Sequence, residues 1–98
     1  MLHKNYTKKG NICRVTFDIL PDTEISRASV CGDFNGWNPD ANPMKLRKDG
    51  RFSTTVSLKT GAAYHFKYLL DGNRWVNDWG ADGYERGGIG QDNSVIKV

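Results

Sequence analysis

The chain has 98 residues and a formal net charge of +3, from 14 basic and 11 acidic residues. This length suits one domain that buries roughly 60 to 70% of its extended surface, and it leaves little room for a deep enzyme cleft. The basic residues are interrupted by acidic ones throughout, which is more typical of a solvated surface than of a nucleic-acid-binding surface.

The N-terminal residues contain no apolar run, and the chain lacks the ~20 consecutive apolar residues of a membrane helix. We therefore expect no signal peptide, no membrane partner and a cytoplasmic location. Under reducing conditions Cys13 and Cys31 are expected to be free thiols that pack as small hydrophobes. Two cysteines and two distant histidines fall short of a zinc site, so neither a metal nor another cofactor is expected.

Hydrophobic alternation predicts the first strands. Residues 1–10 are expected to form a flexible arm, and residues 11–98 a single domain. Residues 11–20 alternate well, and four of them share one face: Cys13, Val15, Phe17 and Ile19. A second short strand is predicted over residues 27–32, with Ala28 and Val30 facing inward. Residues 33–43 are dense in Asn, Gly, Pro and Asp and predict a loop.

The second half of the chain repeats the pattern. A short edge strand over residues 44–48, an Asp-Gly turn and a strand over residues 51–58 are predicted first. The stretch from Tyr64 to Leu70 alternates strongly, with Tyr64, Phe66, Tyr68 and Leu70 on one face. It ends at Asp71-Gly72, a dipeptide suited to a tight hairpin. Residues 80–93 are glycine-rich and predict a long irregular loop before a last strand over residues 94–98.

Six to eight short strands separated by turn signals favour an all-β fold, an immunoglobulin-like antiparallel β-sandwich. A small open barrel is the structural alternative. No segment shows the 3.6-residue period of a helix. The antibody pattern of two cysteines around a tryptophan is absent, since both cysteines precede Trp37.

Catalysis is not supported. Nucleophilic chemistry needs a histidine base, but His3 lies in the predicted arm and His65 is not spaced from any serine or cysteine in a suggestive way. The acidic residues mostly lie beside Gly or Asn, where turn formation explains them better than a pair of catalytic carboxylates. We therefore expect a protein that is not an enzyme.

Three tryptophans indicate binding. Trp37 lies in a predicted loop, Trp75 follows the hairpin turn, and Trp79 precedes the glycine-rich segment. Any one of them could belong to the core, but exposed indoles suit sugar rings and nucleobases. Asn and Asp residues surround the tryptophans, whereas a single-strand nucleic-acid site needs a basic groove beside its aromatic residues. The sequence therefore favours a sugar ligand over nucleic acid.

Four motifs occur in a familiar order. They are GDFNGW at residues 32–37, DG at residues 49–50, YHFKY leading into DG at residues 64–72, and DNSV at residues 92–95. Together they closely resemble carbohydrate-binding module family 48. This family includes the isoamylase N-terminal ("early set") domain and the glycogen-binding domain of the AMP-activated protein kinase β subunit. The likeness covers about residues 11–98, and it is strongest to small stand-alone bacterial members of the family.

The resemblance implies an immunoglobulin-like β-sandwich that binds α-1,4-glucans such as glycogen, starch or maltooligosaccharides. By motif position it implies sugar contacts from Trp37, Lys67, Trp75 and Asn93. It places Ile89 and Gln91 at the positions of a hydrophobic residue and a threonine, so Gln91 departs from the kinase-type pattern. Trp79 has no counterpart in that pattern, and it is expected either to bind sugar or to pack the long loop.

A second function remains open. Some members of this family lack part of the sugar-contact set and dock other proteins instead. The same domain could therefore dock a glycogen-metabolising enzyme or a kinase-like partner without binding sugar itself.

Overall fold

The computed structural model describes residues 2–86 and 92–98, and within them the protein is almost entirely β-structure. Its elements, in chain order, are β1 (Leu2–Tyr6), β2 (Ile12–Ile19), β3 (Ala28–Gly32), a 3-10 turn (Asp33–Asn35), β4 (Lys45–Leu46), β5 (Phe52–Lys59), β6 (Ala63–Leu70), β7 (Arg74–Val76), β8 (Gly83–Arg86) and β9 (Asp92–Lys97). In this part of the chain, no helix has the length and apolar character needed to cross a membrane.

The strands form two antiparallel sheets. The first has the order β1-β2-β5-β4, and the second has the order β3-β6-β9-β8. Strand β7 pairs with the second half of β6, beyond the point where β9 stops pairing with it. Strands β7 and β8 lie between β6 and β9 in the chain and are additional to the basic fold. The remaining seven strands have the order of an immunoglobulin-like sandwich. The predicted all-β sandwich is confirmed.

The core lies between the sheets and is centred on Phe17. Its ring centroid lies 5.1 Å from that of Phe66, 5.6 Å from that of Phe34 and 6.4 Å from that of Tyr68. The faces predicted from alternation are confirmed for β2, β3, β5 and β6. The buried cluster contains Cys13, Val15, Ala28, Val30, Phe52, Leu58, Phe66, Tyr68, Leu70 and Ile96. Both cysteines are free and buried, as predicted.

The hairpin between β6 and β7 follows the sequence prediction. Asp71 and Gly72 have φ angles of 53° and 75°, as the two central residues of a type I′ turn require. The Asp71 carboxylate also accepts hydrogen bonds from the backbone N–H groups of Ser26 and Arg27, at 2.7 and 3.1 Å. The turn therefore fixes the position of β7 and also holds the segment that enters β3.

Two segments differ from the prediction. Residues 2–6 form β1, which pairs along β2, rather than a frayed arm. Residues 83–86 form β8, which pairs with β9, so the prediction of a continuous irregular loop over residues 80–93 is wrong. Both strands lie at sheet edges and are mostly exposed. Because main-chain hydrogen bonds hold them, their sequences carry little of the alternation that signals a strand.

Candidate functional site

Two tryptophans that are distant in sequence meet on the outer face of the second sheet. The ring centroids of Trp37 and Trp75 lie 6.5 Å apart, with an angle of 64° between the ring planes. Trp75 lies on β7 directly opposite Leu69 of β6, on the face turned away from the core. Its side chain is 46% exposed, and that of Trp37 is half-buried. We call this pair the Trp37–Trp75 surface.

Asn35 fixes the loop that carries Trp37. Its side-chain oxygen accepts hydrogen bonds from the backbone N–H groups of Gly32 and Trp37, at 3.0 and 3.1 Å. Its amide nitrogen donates to the carbonyl oxygen of Val30 at 3.0 Å and to the side-chain oxygen of Asn42 at 2.7 Å. One side chain thus ties both ends of the loop to β3, which explains why this loop needs Asn at position 35.

The backbone of Trp37 adopts an unfavourable conformation. Its φ angle is 60° and follows a φ of 65° at Gly36. The left-handed region costs a residue with a side chain about 1–2 kcal/mol. Two contacts offset this cost: the Trp37 N–H donates to the carbonyl of Gly32 at 3.0 Å, and the indole N–H donates to the Asp33 carboxylate at 3.2 Å. The loop is built to hold this indole in one place.

Asp33 also joins the Trp37 loop to a histidine between two carboxylates. The Asp33 carboxylate accepts a hydrogen bond from the His65 backbone N–H at 2.9 Å and lies 3.0 Å from the ring Nδ1. The ring Nε2 lies 2.9 Å from the Glu85 carboxylate on β8. Hydrogen bonding to Glu85 and then to Asp33 raises the pKa of His65. Burial opposes ionisation of Asp33, but the bonds from His65 and Trp37 outweigh it and lower the pKa of Asp33.

This arrangement predicts a pH dependence of stability. The pKa of folded His65 is raised above its ordinary value of 6.5. Its contribution to the free energy of unfolding is therefore complete below pH 6.5. The contribution is lost as pH rises through the higher folded value. The pH dependence that comes from Asp33 has the opposite sign. Because the pKa of folded Asp33 is lowered, its contribution to the free energy of unfolding is lost only in acid, below its ordinary pKa of 3.8. We expect the wild-type chain to lose free energy of unfolding between pH 5.5 and pH 8.

Urea denaturation at these two pH values, with wild type and His65→Gln, checks this expectation. His65→Gln should reduce the difference between pH 5.5 and pH 8. His3→Gln removes the chain's other histidine and is the matched control, which should keep the wild-type difference. An equal pH difference in His65→Gln and wild type would contradict the assignment.

Lys67 and Asn93 lie on β6 and β9, which pair with each other in the second sheet. Lys67 is on the predicted outer face of β6, opposite Cys31 of β3, but its side chain is only 9% exposed. The sequence thus predicted its direction and not its burial, because neighbouring groups cover this face. Asn93 pairs with Glu85 across β8 and β9. The β6–β9 pairing ends at the pair Phe66 and Ser94. Continued by one residue on each strand, the same register sets Lys67 opposite Asn93.

Of the other three predicted residues, the structure describes only Trp79. Trp79 is 100% exposed and lies in a different groove, with Arg74 and Tyr84. At this exposure the Trp79 side chain packs against none of the described residues. Ile89 and Gln91 lie outside the described residues.

Sequence reasoning missed the network behind Trp37. It placed Asp33 in a loop, counted it among the acidic residues near the tryptophans that favour sugar over nucleic acid, and set His65 aside once catalysis was rejected. The alternation of β6 placed His65 on the same face as Lys67, which is a usable signal that it lies near the site. Glu85 offered no such signal, because β8 was not predicted.

The family described as the glycogen recognition site of AMP-activated protein kinase matches residues 22–98 of this chain. The match includes β3 to β9 and therefore both tryptophans, Lys67 and Asn93. Residues 2–21, with β1 and β2, precede it.

Enzymes are among the similar proteins. The chain is 30% identical over 74 residues to 1,4-alpha-glucan branching enzyme GlgB 2 of Xanthomonas campestris pv. campestris (strain 8004), which is 74% of this chain and 10% of that protein. It is 40% identical over 45 residues to 1,4-alpha-glucan branching enzyme GlgB of Burkholderia pseudomallei (strain 668), or 46% of this chain and 6% of that protein. The chain thus spans a tenth or less of these relatives. On the family match, this chain belongs to the glycogen recognition family of AMP-activated protein kinase, a carbohydrate-binding module family as its motifs indicated.

Proposed function

We propose that this domain is a non-catalytic module that binds α-1,4-glucans such as glycogen, with Trp37 and Trp75 as the stacking surfaces. Its membership of a glycogen recognition family supports a glucan ligand. The observation that carries the assignment of residues is the meeting of the two indoles on the outer face of the second sheet.

The angle between the indoles suits this class of polymer. An α-1,4 linkage turns each glucose ring relative to its neighbour, so the chain curves, whereas a β-1,4-linked chain is flat and extended. Two indoles 64° apart are poorly placed for two coplanar sugar rings. They can instead contact successive rings of a curved chain. The geometry therefore favours α-glucans over cellulose-like ligands.

Lys67 and Asn93 supply polar groups beside the indoles. Carbohydrate sites combine apolar faces with a few fixed hydrogen-bonding groups. The amide of Asn93 can both donate to and accept from a sugar hydroxyl, and the ammonium of Lys67 donates. Because the Lys67 side chain is largely covered, we assign it a hydrogen bond to a single sugar ring, the one that lies between the two indoles.

The size of the surface implies weak binding. Covering about 100 Å² of one indole face contributes about 2–3 kcal/mol at ~25 cal/mol per Å². Two platforms must also offset the loss of translational and rotational freedom of the ligand. A dissociation constant between about 1 µM and 1 mM follows from this balance.

Native gel electrophoresis in the presence of glycogen tests the proposal. The wild-type chain should migrate more slowly in a gel that contains glycogen than in one without it. Free maltoheptaose should restore its mobility, whereas dextran, an α-1,6-linked glucan, should not. Unchanged mobility in glycogen would overturn the proposal.

One observation favours a second function. The similar curated proteins are branching enzymes in which the matched segment is a tenth or less of the whole. This supports a docking module for a glycogen-metabolising enzyme as the alternative. Docking without sugar binding predicts no retardation by glycogen and co-migration with such an enzyme, so the same gel separates the two functions.

A further inference from the structure

A second groove lies on the other side of β7 from the Trp37–Trp75 surface. Because side chains alternate along a strand, Trp75 faces the first surface, whereas Arg74 and Val76 line this groove. It is an open depression of about 810 Å³ between the end of β2, the start of β5 and residues 77–80. This volume lies within the range of small-ligand sites, about 300–1,000 Å³. We call it the Trp79 groove.

The groove gathers three of the large apolar side chains that this protein exposes: Leu20, Trp79 and Tyr84. Trp79 is exposed over its whole side chain. Single exposed apolar residues are common, but three of them around one groove form an apolar patch of the kind that marks a binding site.

The segment that displays Trp79 is held on both sides. The Asn77 amide nitrogen donates to the carbonyl of Asp92 at 3.0 Å. The Asp78 carboxylate accepts from the Gly80 N–H at 2.7 Å, and the Tyr84 hydroxyl donates to the Asp78 carbonyl. The backbone that carries this indole is therefore fixed before any ligand arrives, which lowers the entropic cost of binding.

The rim of the groove carries balanced charges. Arg74 forms an ion pair with Asp22 at 2.9 Å and lies 3.4 Å from the Thr23 hydroxyl. Arg51 faces Asp18 at 3.5 Å. Two cations matched by two carboxylates do not favour a phosphate, a nucleic acid or a strongly charged peptide. Exposed, paired charges beside an indole favour a neutral ligand that is rich in hydroxyl groups.

We propose that the Trp79 groove is a second α-glucan-binding site, with Trp79 as its stacking surface and Arg74 and Asp22 as hydrogen-bonding partners for sugar hydroxyls. The choice of glucan rests on the proposed function, but the residues are independent of the first surface. Two sites on opposite sides of β7 let one branched polymer occupy both. Simultaneous occupation raises the apparent affinity for glycogen above that of either site alone.

Chemical-shift mapping with maltoheptaose tests this inference. In ¹⁵N spectra of the wild-type chain, backbone amides of residues 36–37 and of residues 77–80 should both shift. Trp79→Ala should remove ligand-induced shifts of residues 77–80 and keep those of residues 36–37, and Trp75→Ala should do the reverse. On glycogen gels, Trp79→Ala should weaken the apparent affinity about tenfold or more, through lost multivalency. Tyr6→Ala is the matched control, since Tyr6 is 50% exposed on β1 of the other sheet.

The outcomes separate the two proposals. Shifts confined to residues 36–37 would overturn the second site and leave the proposed function intact. Shifts confined to residues 77–80 would support the second site and contradict the Trp37–Trp75 surface. No shift at either surface would overturn both. Line broadening of residues 77–80 that grows with protein concentration and is removed by Trp79→Ala would show a second copy in the groove, which would also overturn the second site.

Discussion

Trp75→Ala is expected to weaken retardation by glycogen strongly while the chain stays folded. The substitution removes one of two stacking surfaces, about 2–3 kcal/mol of sugar contact. This corresponds to an affinity about 30- to 150-fold weaker. Any retardation that remains in this variant comes from the Trp79 groove, which the substitution leaves intact.

The fold should survive this change. Trp75 is nearly half exposed and lies on a three-residue strand. Its contacts with Leu69 on the neighbouring strand and with the ring of Trp37 together contribute about 1–2 kcal/mol of stability. The total stability of a typical domain is about 5–15 kcal/mol. Trp75→Phe should keep part of the affinity because it retains a flat apolar face. Retardation of Trp75→Ala equal to that of wild type would contradict the role of this indole.

Asp78→Ala is expected to destabilise the domain by about 3 kcal/mol or more, because it leaves buried donors without an acceptor. Asp78 is 2% exposed. Its carboxylate accepts from the Tyr68 hydroxyl at 2.5 Å and from the Gly80 N–H at 2.7 Å, and its backbone N–H donates to the Ser94 hydroxyl at 2.9 Å. Burial, and then the nearby carboxylate, raise the pKa of Tyr68, so its hydroxyl keeps the proton that it donates.

Urea denaturation of Asp78→Ala, Tyr68→Phe and the double variant measures this coupling. The double variant should lose less free energy of unfolding than the two single losses added together, since each single change already breaks the shared bond. Additive losses would show that the Tyr68–Asp78 bond contributes little. Asp49→Ala, at an exposed turn, is the control and should change the free energy by no more than about 0.5 kcal/mol.

The sequence predicted the sandwich because its central strands alternate strongly. Phe17, Phe66 and Tyr68 lie where alternation placed them, and the Asp71-Gly72 hairpin has the predicted backbone. The edge strands β1 and β8 were not predicted, because backbone pairing rather than a buried side-chain face holds them.

The candidate site was predictable only in part. Motif resemblance singled out Trp37 and Trp75, and the structure brings them into contact. The Asp33–His65–Glu85 network was not predictable, because it depends on the pairing of β6 with β9 and of β9 with β8. Asp78 looked like a turn residue among other polar residues, and only the fold shows that it lies beneath Tyr68. The position of Trp79 also depends on the fold, since β7 separates it from Trp75.

Titration of the wild-type chain with maltoheptaose, followed by tryptophan fluorescence, measures directly whether these indoles bind an α-1,4-glucan. We expect a saturable change with a dissociation constant between about 1 µM and 1 mM. We expect no saturable change with cellopentaose, the flat β-1,4-linked counterpart. The maltoheptaose response should weaken sharply in Trp75→Ala and persist in Tyr6→Ala. An absence of saturable change with maltoheptaose, or equal binding of the two oligosaccharides, would show that the Trp37–Trp75 surface is not an α-1,4-glucan site.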